Sequence, residues 1–182
     1  MRVIAGIYKG KKLKSPETVG IRPTLDRVKE SIFNVIQFKI TGAQTLDLFS
    51  GSGAMGIEAV SRQSEEVIFN DISPEASLLI RENCQNTGFT PIIYSLDYKG
   101  LLDKFAVLGK KFDIVFIDPP YEGDTGLNAV KILFEKGLLN SGGVAVYEHS
   151  ASLKTDYSGL NNITTKSKKY GKVCVDFIYN NA

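Results

Sequence analysis

Cysteine and histidine are scarce in this chain, and neither forms a pattern. The two cysteines, Cys84 and Cys174, stand far apart and make no CxxC pair. That argues against a disulfide framework or a structural zinc site, so no metal is expected and a reducing cytoplasm is the expected compartment. The single histidine, His149, follows Glu148 at the end of an expected strand, where a structural or solvent-facing role outweighs a catalytic one. No apolar run approaches the roughly 20 residues of a membrane span, and the N-terminus carries no hydrophobic signal region.

A strong overall charge is also missing: the net charge is +2. The balance hides an asymmetry. Residues 1–39 hold nine Lys and Arg (Arg2, Lys9, Lys11, Lys12, Lys14, Arg22, Arg27, Lys29, Lys39) against three acids (Glu17, Asp26, Glu30). That segment is +6, which leaves −4 for the rest of the chain. Such a basic arm suits a polyanionic partner, although lysines in a solvated loop would read the same way. At 182 residues, with 43% hydrophobic and 23% charged, the chain has material for one ordinary domain and a small appendage.

The appendage is expected over residues 1–42. Residues 2–8 read as a strand, Lys9-Gly10 as a turn, and residues 11–14 as a returning strand. Thr24 is placed to cap a helix with Leu25, Val28, Ile32, Val35 and Ile36 on one face, and Gly42 closes the segment. From residue 43 strands and helices alternate. Strands are expected at 45–49, 66–70, 92–96, 112–117 and 144–148, with helices at about 54–62, 74–86, 98–108 and 126–135. Two further strands, near 163–168 and 172–179, are joined by Tyr170-Gly171 and read as an antiparallel hairpin. This is the pattern of an open, doubly wound α/β sheet, whose ligands bind at the carboxyl ends of the strands.

A glycine loop follows the first strand, where Gly51, Gly53 and Gly56 match GxGxxG. That spacing permits a nicotinamide dinucleotide site. Three features favour S-adenosylmethionine instead. Asp47 precedes the loop within the strand, where a carboxylate suits an ammonium and a sulfonium. Asp97, after the third strand, can accept from an adenine amino group, although it also reads as a turn residue. The third feature is Asp118-Pro119-Pro120-Tyr121, after the nearly all-apolar strand 112–117. Asp71 lies 20 residues beyond Gly51, where it can accept from ribose hydroxyls or cap a helix. The expected donor-binding residues are therefore Asp47, Phe49, Ser50, Gly51, Ser52, Gly53, Asp71, Ile72, Asp97 and Tyr98.

An exocyclic base amine is a poor nucleophile, because its lone pair is delocalised into the ring. Two acceptors in fixed positions can hold its hydrogens and aim the nitrogen at a methyl group. The Asp118 carboxylate and the Pro119 carbonyl form such a pair, since proline locks φ. Pro120 stiffens the turn, and Tyr121 offers a face for base stacking, worth about 1–3 kcal/mol. Most of the rate would come from positioning and from stabilising charge that develops on the amine.

The chain resembles the RsmD family, bacterial methyltransferases of guanine N2 in 16S ribosomal RNA. The likeness runs from Arg2-Val3-Ile4-Ala5-Gly6 and Lys9-Gly10-Lys11-Lys12-Leu13 through the segment from Arg22 to Asn34. It continues over the glycine loop with Glu58-Ala59 and Ser61-Arg62 to Asp118-Pro119-Pro120-Tyr121. It implies a class I S-adenosylmethionine-dependent methyltransferase fold: a Rossmann-like, mostly parallel seven-stranded sheet with a C-terminal antiparallel hairpin, over residues 43–182. It also implies a basic N-terminal hairpin and helix over 1–42 that contacts RNA through Arg2, Lys9, Lys11, Lys12, Lys14, Arg22 and Arg27. Arg22 and Arg27 could instead face the active site or brace the helix. The implied donor is S-adenosylmethionine, leaving S-adenosylhomocysteine, and the implied target is guanine 966 in the usual rRNA numbering. The implied partner is 16S rRNA, within an assembling or assembled 30S particle, for a monomeric enzyme that contacts no membrane. Where some relatives carry Glu after the second strand this chain has Asn70-Asp71, which puts the ribose acceptor on Asp71.

Three other readings remain open on sequence. An adenine-N6 methyltransferase acting on RNA or DNA would use the same Asp-Pro-Pro-Tyr chemistry. An NAD(P)-dependent oxidoreductase would use the glycine loop and leave residues 118–121 unexplained. A non-catalytic RNA-binding module would not need Asp118.

Overall fold

The apolar segment Phe112–Ile117 lies at the centre of a seven-stranded sheet, buried on both faces. It is β4 in the computed structural model, which describes residues 1–15, 23–120 and 123–182. The chain reaches it through α1 (Pro23–Val35), α2 (Gln37–Ile40), β1 (Gln44–Asp47), α3 (Ala54–Ser61), β2 (Glu66–Asn70), α4 (Pro74–Gln85), β3 (Ile92–Tyr94) and α5 (Tyr98–Val107). After it come α6 (Thr125–Glu135), β5 (Leu139–Ser150), β6 (Ile163–Tyr170) and β7 (Val173–Asn180). The strand order is β3-β2-β1-β4-β5-β7-β6. β1 to β5 run parallel, and β7 lies antiparallel between β5 and β6. The chain builds outward from β1 to β3 and then returns to place β4 on the other side of β1. That reversal opens a crevice at the carboxyl ends of β1 and β4.

Alternation along the strands separates two apolar layers. Ile114 and Phe116 face a layer that contains Phe33 of α1 and Ile57 of α3, whereas Val115 and Ile117 face Leu101 and Phe105 of α5 and Leu133 of α6. Val3 and Leu13 of the N-terminal segment and Val28, Ile32 and Phe33 of α1 belong to the first layer. The N-terminal segment therefore shares its core with the sheet.

Several elements differ from the sequence-based expectation. Residues 2–8 are not a strand: one antiparallel bridge, Arg2 to Lys12, is followed by bends and turns. The physical reason is that their backbone donors are spent on α3. The N–H groups of Ile4 and Ala5 donate to the two oxygens of Glu58 (2.7 and 3.0 Å), Ile7 donates to the Ser61 carbonyl (2.8 Å), and Tyr8 donates to Ser61 Oγ (3.0 Å). Gly6 has φ +85°, and a Cβ there would stand 1.9 Å from the Ser61 carbonyl oxygen, so no other residue permits this approach. Thr24 lies inside the first turn of α1 rather than ahead of it, since the helix starts at Pro23, whose missing N–H is harmless there. The short α2 was not expected. β5 begins at Leu139, so Gly142-Gly143 fall within it, where the pairing with β4 shifts register.

Glu58 is fully buried. Besides the two backbone donors it holds Arg62 Nε at 2.9 Å and Lys29 Nζ at 3.4 Å. Lys29 is itself buried and also donates to the Arg2 carbonyl at 2.6 Å. Burial lowers the Lys29 pKa from its ordinary value, and the Glu58 carboxylate opposes that shift. Removing one partner of such a group strands the others without water. Glu58→Ala should therefore destabilise the fold by about 3–5 kcal/mol in denaturant titration. Hydrogen exchange at the Ile4 and Ala5 amides should accelerate in the same variant.

Candidate active site

The carboxyl ends of β1 to β5 open onto one cleft of about 810 Å³. Its floor is made by the loop after β1. Ser50 donates from Oγ to the Asp47 carbonyl (2.7 Å), and its N–H donates to the Asn70 carbonyl (2.9 Å). Gly51 and Gly53 take positive φ (52° and 77°) in a turn closed by the Gly53 N–H on the Ser50 carbonyl. Gly56 lets α3 sit against β2, for a Cβ there would lie 2.2 Å from the Phe69 ring. Asp47 is buried beneath this loop and accepts from the Gly56 N–H at 2.9 Å. Its pKa is raised to about 7 by burial, opposed by the Gly56 bond and reinforced by Asp71.

One end of the cleft fits an adenosine. Asp71 lies at the mouth of the loop with Oδ2 on the Gly51 N–H (2.8 Å) and Oδ1 on the Ser73 N–H (3.0 Å). Both its oxygens retain lone pairs for ribose hydroxyls. Ile72 is 70% exposed and lines the cleft, as does Leu96, which provides an apolar face for a purine. Asp97 caps α5 through Oδ1 on the Lys99 N–H (2.9 Å) and also lines the cleft. Its two sequence readings, turn residue and adenine acceptor, are thus compatible. The rings of Phe49 and Tyr98 pack at 5.6 Å beside it.

The other end is walled by Met1, Lys29 and Ile32 from the N-terminal segment and α1, and by Asp118, Pro119, Pro120 and Glu148 from the sheet. Asp118 opens to the cleft, but the protein around it removes most of the bulk water. Its pKa is raised well above the ordinary carboxylate range, first by that desolvation and then by the neighbouring charges of Glu148 and Asp47. Three carboxylates thus converge where a cationic ligand would neutralise them. The donor set fits S-adenosylmethionine: acids for its ammonium and sulfonium, a ribose acceptor and an apolar purine wall.

Of the residues expected from sequence, Asp47, Phe49, Ser50, Gly51, Ser52, Asp71, Ile72, Asp97, Tyr98, Asp118, Pro119 and Pro120 all line this cleft. Gly53 does not; it caps α3 and packs on Ile80 and Phe69 beneath the loop. Tyr121 and Arg22 lie outside the described residues. Lys9, Lys11, Lys12 and Arg27 are exposed on the surface. Lys14 is paired with Glu82, and Arg2 lies 4.0 Å from Asp26, so these two charges are partly neutralised. His149 is buried rather than solvent-facing, with Nδ1 against the Ser150 carbonyl (2.9 Å) and Nε2 against Asp176 (3.1 Å). It shares Asp176 with Tyr157 and Thr155, which makes it part of a structural network that does not line the cleft.

Sequence reasoning assigned no role to Glu148, Lys29 or Asn70. Asn70 is buried and ties the loops after β1 and β3 to the end of β2: Nδ2 donates to the Leu48 and Leu96 carbonyls (both 3.1 Å), and Oδ1 accepts from the Leu96 N–H (3.2 Å). A polar residue closing an otherwise apolar strand was the only available signal. Asn70→Ala leaves these backbone groups without partners. It should lower unfolding free energy by about 1–3 kcal/mol in denaturant titration, while Asn70→Asp retains only the acceptor.

YlbH of Bacillus subtilis is 35% identical over 173 residues, covering 94% of both chains. Ribosomal RNA small subunit methyltransferase D of Haemophilus influenzae is 35% identical over 141 residues, 76% of this chain and 73% of that protein. The solved structure of yhhF from Escherichia coli superimposes with TM-score 0.85 at 28% identity, covering 100% of this chain and 98% of the other. A more distant fold relative is the Thermus thermophilus 16S rRNA N2 G1207 methyltransferase RsmC, solved with AdoMet and guanosine. It has TM-score 0.73 at 20% identity and covers 90% of this chain and 44% of the other. The family model described as Conserved hypothetical protein 95 matches residues 1–179. With that span, these relatives and a 3-2-1-4-5-7-6 sheet, the chain belongs to the RsmD family and has the class I S-adenosylmethionine-dependent methyltransferase fold.

Proposed function

We propose that the protein transfers the methyl group of S-adenosylmethionine to the exocyclic N2 amine of a guanine in 16S ribosomal RNA. The observation that carries this reading is the pair formed by Asp118 and Pro119. They stand in the same cleft as the loop and acids that suit the methyl donor. Relatives named ribosomal RNA small subunit methyltransferase D support the rRNA target. The RsmC relative, solved with guanosine, supports the choice of base.

When bound, the donor supplies an electrophilic methyl carbon on sulfur. Asp118 and the Pro119 carbonyl accept the two amine hydrogens and point the nitrogen lone pair along the line of attack. As nitrogen bonds to carbon and the C–S electron pair goes to sulfur, the amine becomes acidic. Asp118 takes the proton it sheds, and a raised pKa suits that task. Tyr121 is assigned the stacking face. Residues 1–42 are assigned as the RNA-contacting extension of the catalytic domain at 43–182. Its exposed Lys9, Lys11 and Lys12 would meet phosphates and make binding salt-dependent. The protein would act as a cytoplasmic monomer on RNA within a 30S particle.

Asp118→Ala should lower kcat by roughly 10²–10³-fold while S-adenosylhomocysteine binding persists in calorimetry. In cells lacking the protein, mass spectrometry of 16S rRNA should lose one N2-methylguanosine. An unchanged guanine profile with a missing N6-methyladenosine overturns the proposal.

The acid beneath the loop adds a pH signature. With a pKa of about 7, Asp47 is neutral in the free protein below that pH, and a cationic ligand must displace its proton. S-adenosylmethionine affinity should be full above pH 7. It should fall by up to about tenfold per unit as pH drops below 7, measured by calorimetry between pH 8 and pH 5.5. Asp47→Asn should flatten that dependence.

A further inference from the structure

The acceptor end of the cleft contains an acid that amine chemistry alone does not require. β4 and β5 are parallel and in register, with Ile117 opposite Tyr147. Asp118 is the first residue after β4 and Glu148 the next along β5, so the chain leaves the paired ladder with the two acids side by side. Val144 and Val146 face the apolar layer on the α1 side. Alternation puts Glu148 on that same face, one step further out, where it lines the cleft together with Asp118, Pro119 and Lys29. The Glu148 charge acts on the Asp118 carboxylate more strongly than that of Asp47 does. Two acids side by side on one cleft wall repel each other, and a ligand that donates to both relieves that repulsion.

Three nucleic-acid bases carry an exocyclic amine, and they differ at the adjacent ring nitrogen. In adenine and cytosine that nitrogen has a bare lone pair. In guanine the amine is flanked by two ring nitrogens, a bare N3 and, on the other side, N1, which carries a hydrogen. A site that offers two acceptors along this edge therefore fits guanine and rejects the other two.

We propose that Glu148 is the specificity-determining residue of the acceptor site, its carboxylate accepting the N1–H of the target guanine while Asp118 and the Pro119 carbonyl hold the N2 amine. The inference rests on the proposed guanine-N2 reading and adds the means by which the base is chosen. A base with a lone pair at that position brings acceptor against acceptor and loses both the bond and the alignment of its amine.

The test uses the full-length protein and two RNAs that carry either guanine or 2-aminopurine at the methylated position. Both bases have the amine at C2, but 2-aminopurine has a bare N1. The wild-type protein should favour guanine in kcat/KM on the order of 100-fold. In Glu148→Gln, whose amide can turn its NH₂ towards a bare N1, the preference should shrink by about tenfold or more. S-adenosylhomocysteine affinity and the unfolding midpoint report an intact donor end and fold. A wild-type protein without preference between the two RNAs overturns the inference, whether or not the variant folds. Equal losses on both RNAs in Glu148→Gln overturn it too, because they assign Glu148 a structural role. A wild-type protein that leaves guanine N2 unmethylated fails the proposed function itself, and the inference with it.

Discussion

The Glu58 carboxylate has no contact with water and joins three parts of the molecule that the sequence keeps far apart. It belongs to α3, the helix that starts at the donor loop. It accepts from the backbone of Ile4 and Ala5, and it is paired with Lys29 of α1 and with Arg62 at the end of its own helix. A buried charge with this many partners is costly to break and fixes geometry more than it adds net stability. The N-terminal segment and α1 are thereby set at one height above the sheet, and Met1, Lys29 and Ile32 become a wall of the cleft. That wall lines the same cleft as Asp118 and Glu148.

A second set of bonds carries the same segment to the donor loop. Asn83 of α4 is buried; it accepts from the Lys14 N–H (2.8 Å) and donates to the carbonyls of Lys14 (3.0 Å) and Ser52 (2.8 Å). The glycine loop and the N-terminal segment thus share one amide. Together with Asn70, which fastens the loops after β1 and β3, this leaves the cleft with few independent parts. A preorganised floor suits a reaction whose rate depends on alignment rather than on a strong base.

The electrostatics of the cleft follow from the same rigidity. Burial pushes the Asp47 pKa upward, with Asp71 adding to it, and burial pushes the Asp118 pKa upward, with the charges of Glu148 and Asp47 adding to it. A cationic methyl donor relieves that repulsion, and it loses its sulfonium charge once the methyl is transferred. The glycine loop alone would also accept a dinucleotide; the acid beneath it and the acids facing it do not suit a pyrophosphate.

The strand–helix alternation, the position of the glycine loop and most of the residues lining the cleft at the strand ends were legible in the sequence. Those features are local. Period-2 and period-3.6 patterns, a proline lock and glycines after a strand act within a few residues, and the doubly wound sheet then places all strand ends on one side. Tertiary structure alone decided the rest. Residues 2–8 look like a strand, but their donors are taken by Glu58 and Ser61, more than 50 residues away. Lys14 reads as a phosphate contact and is engaged by Glu82. Glu148 reads as an ordinary charge at the end of a strand until the register of β4 and β5 brings it beside Asp118. Hydrogen-bond partners and neighbouring charges are properties of distance in space, which no local pattern encodes.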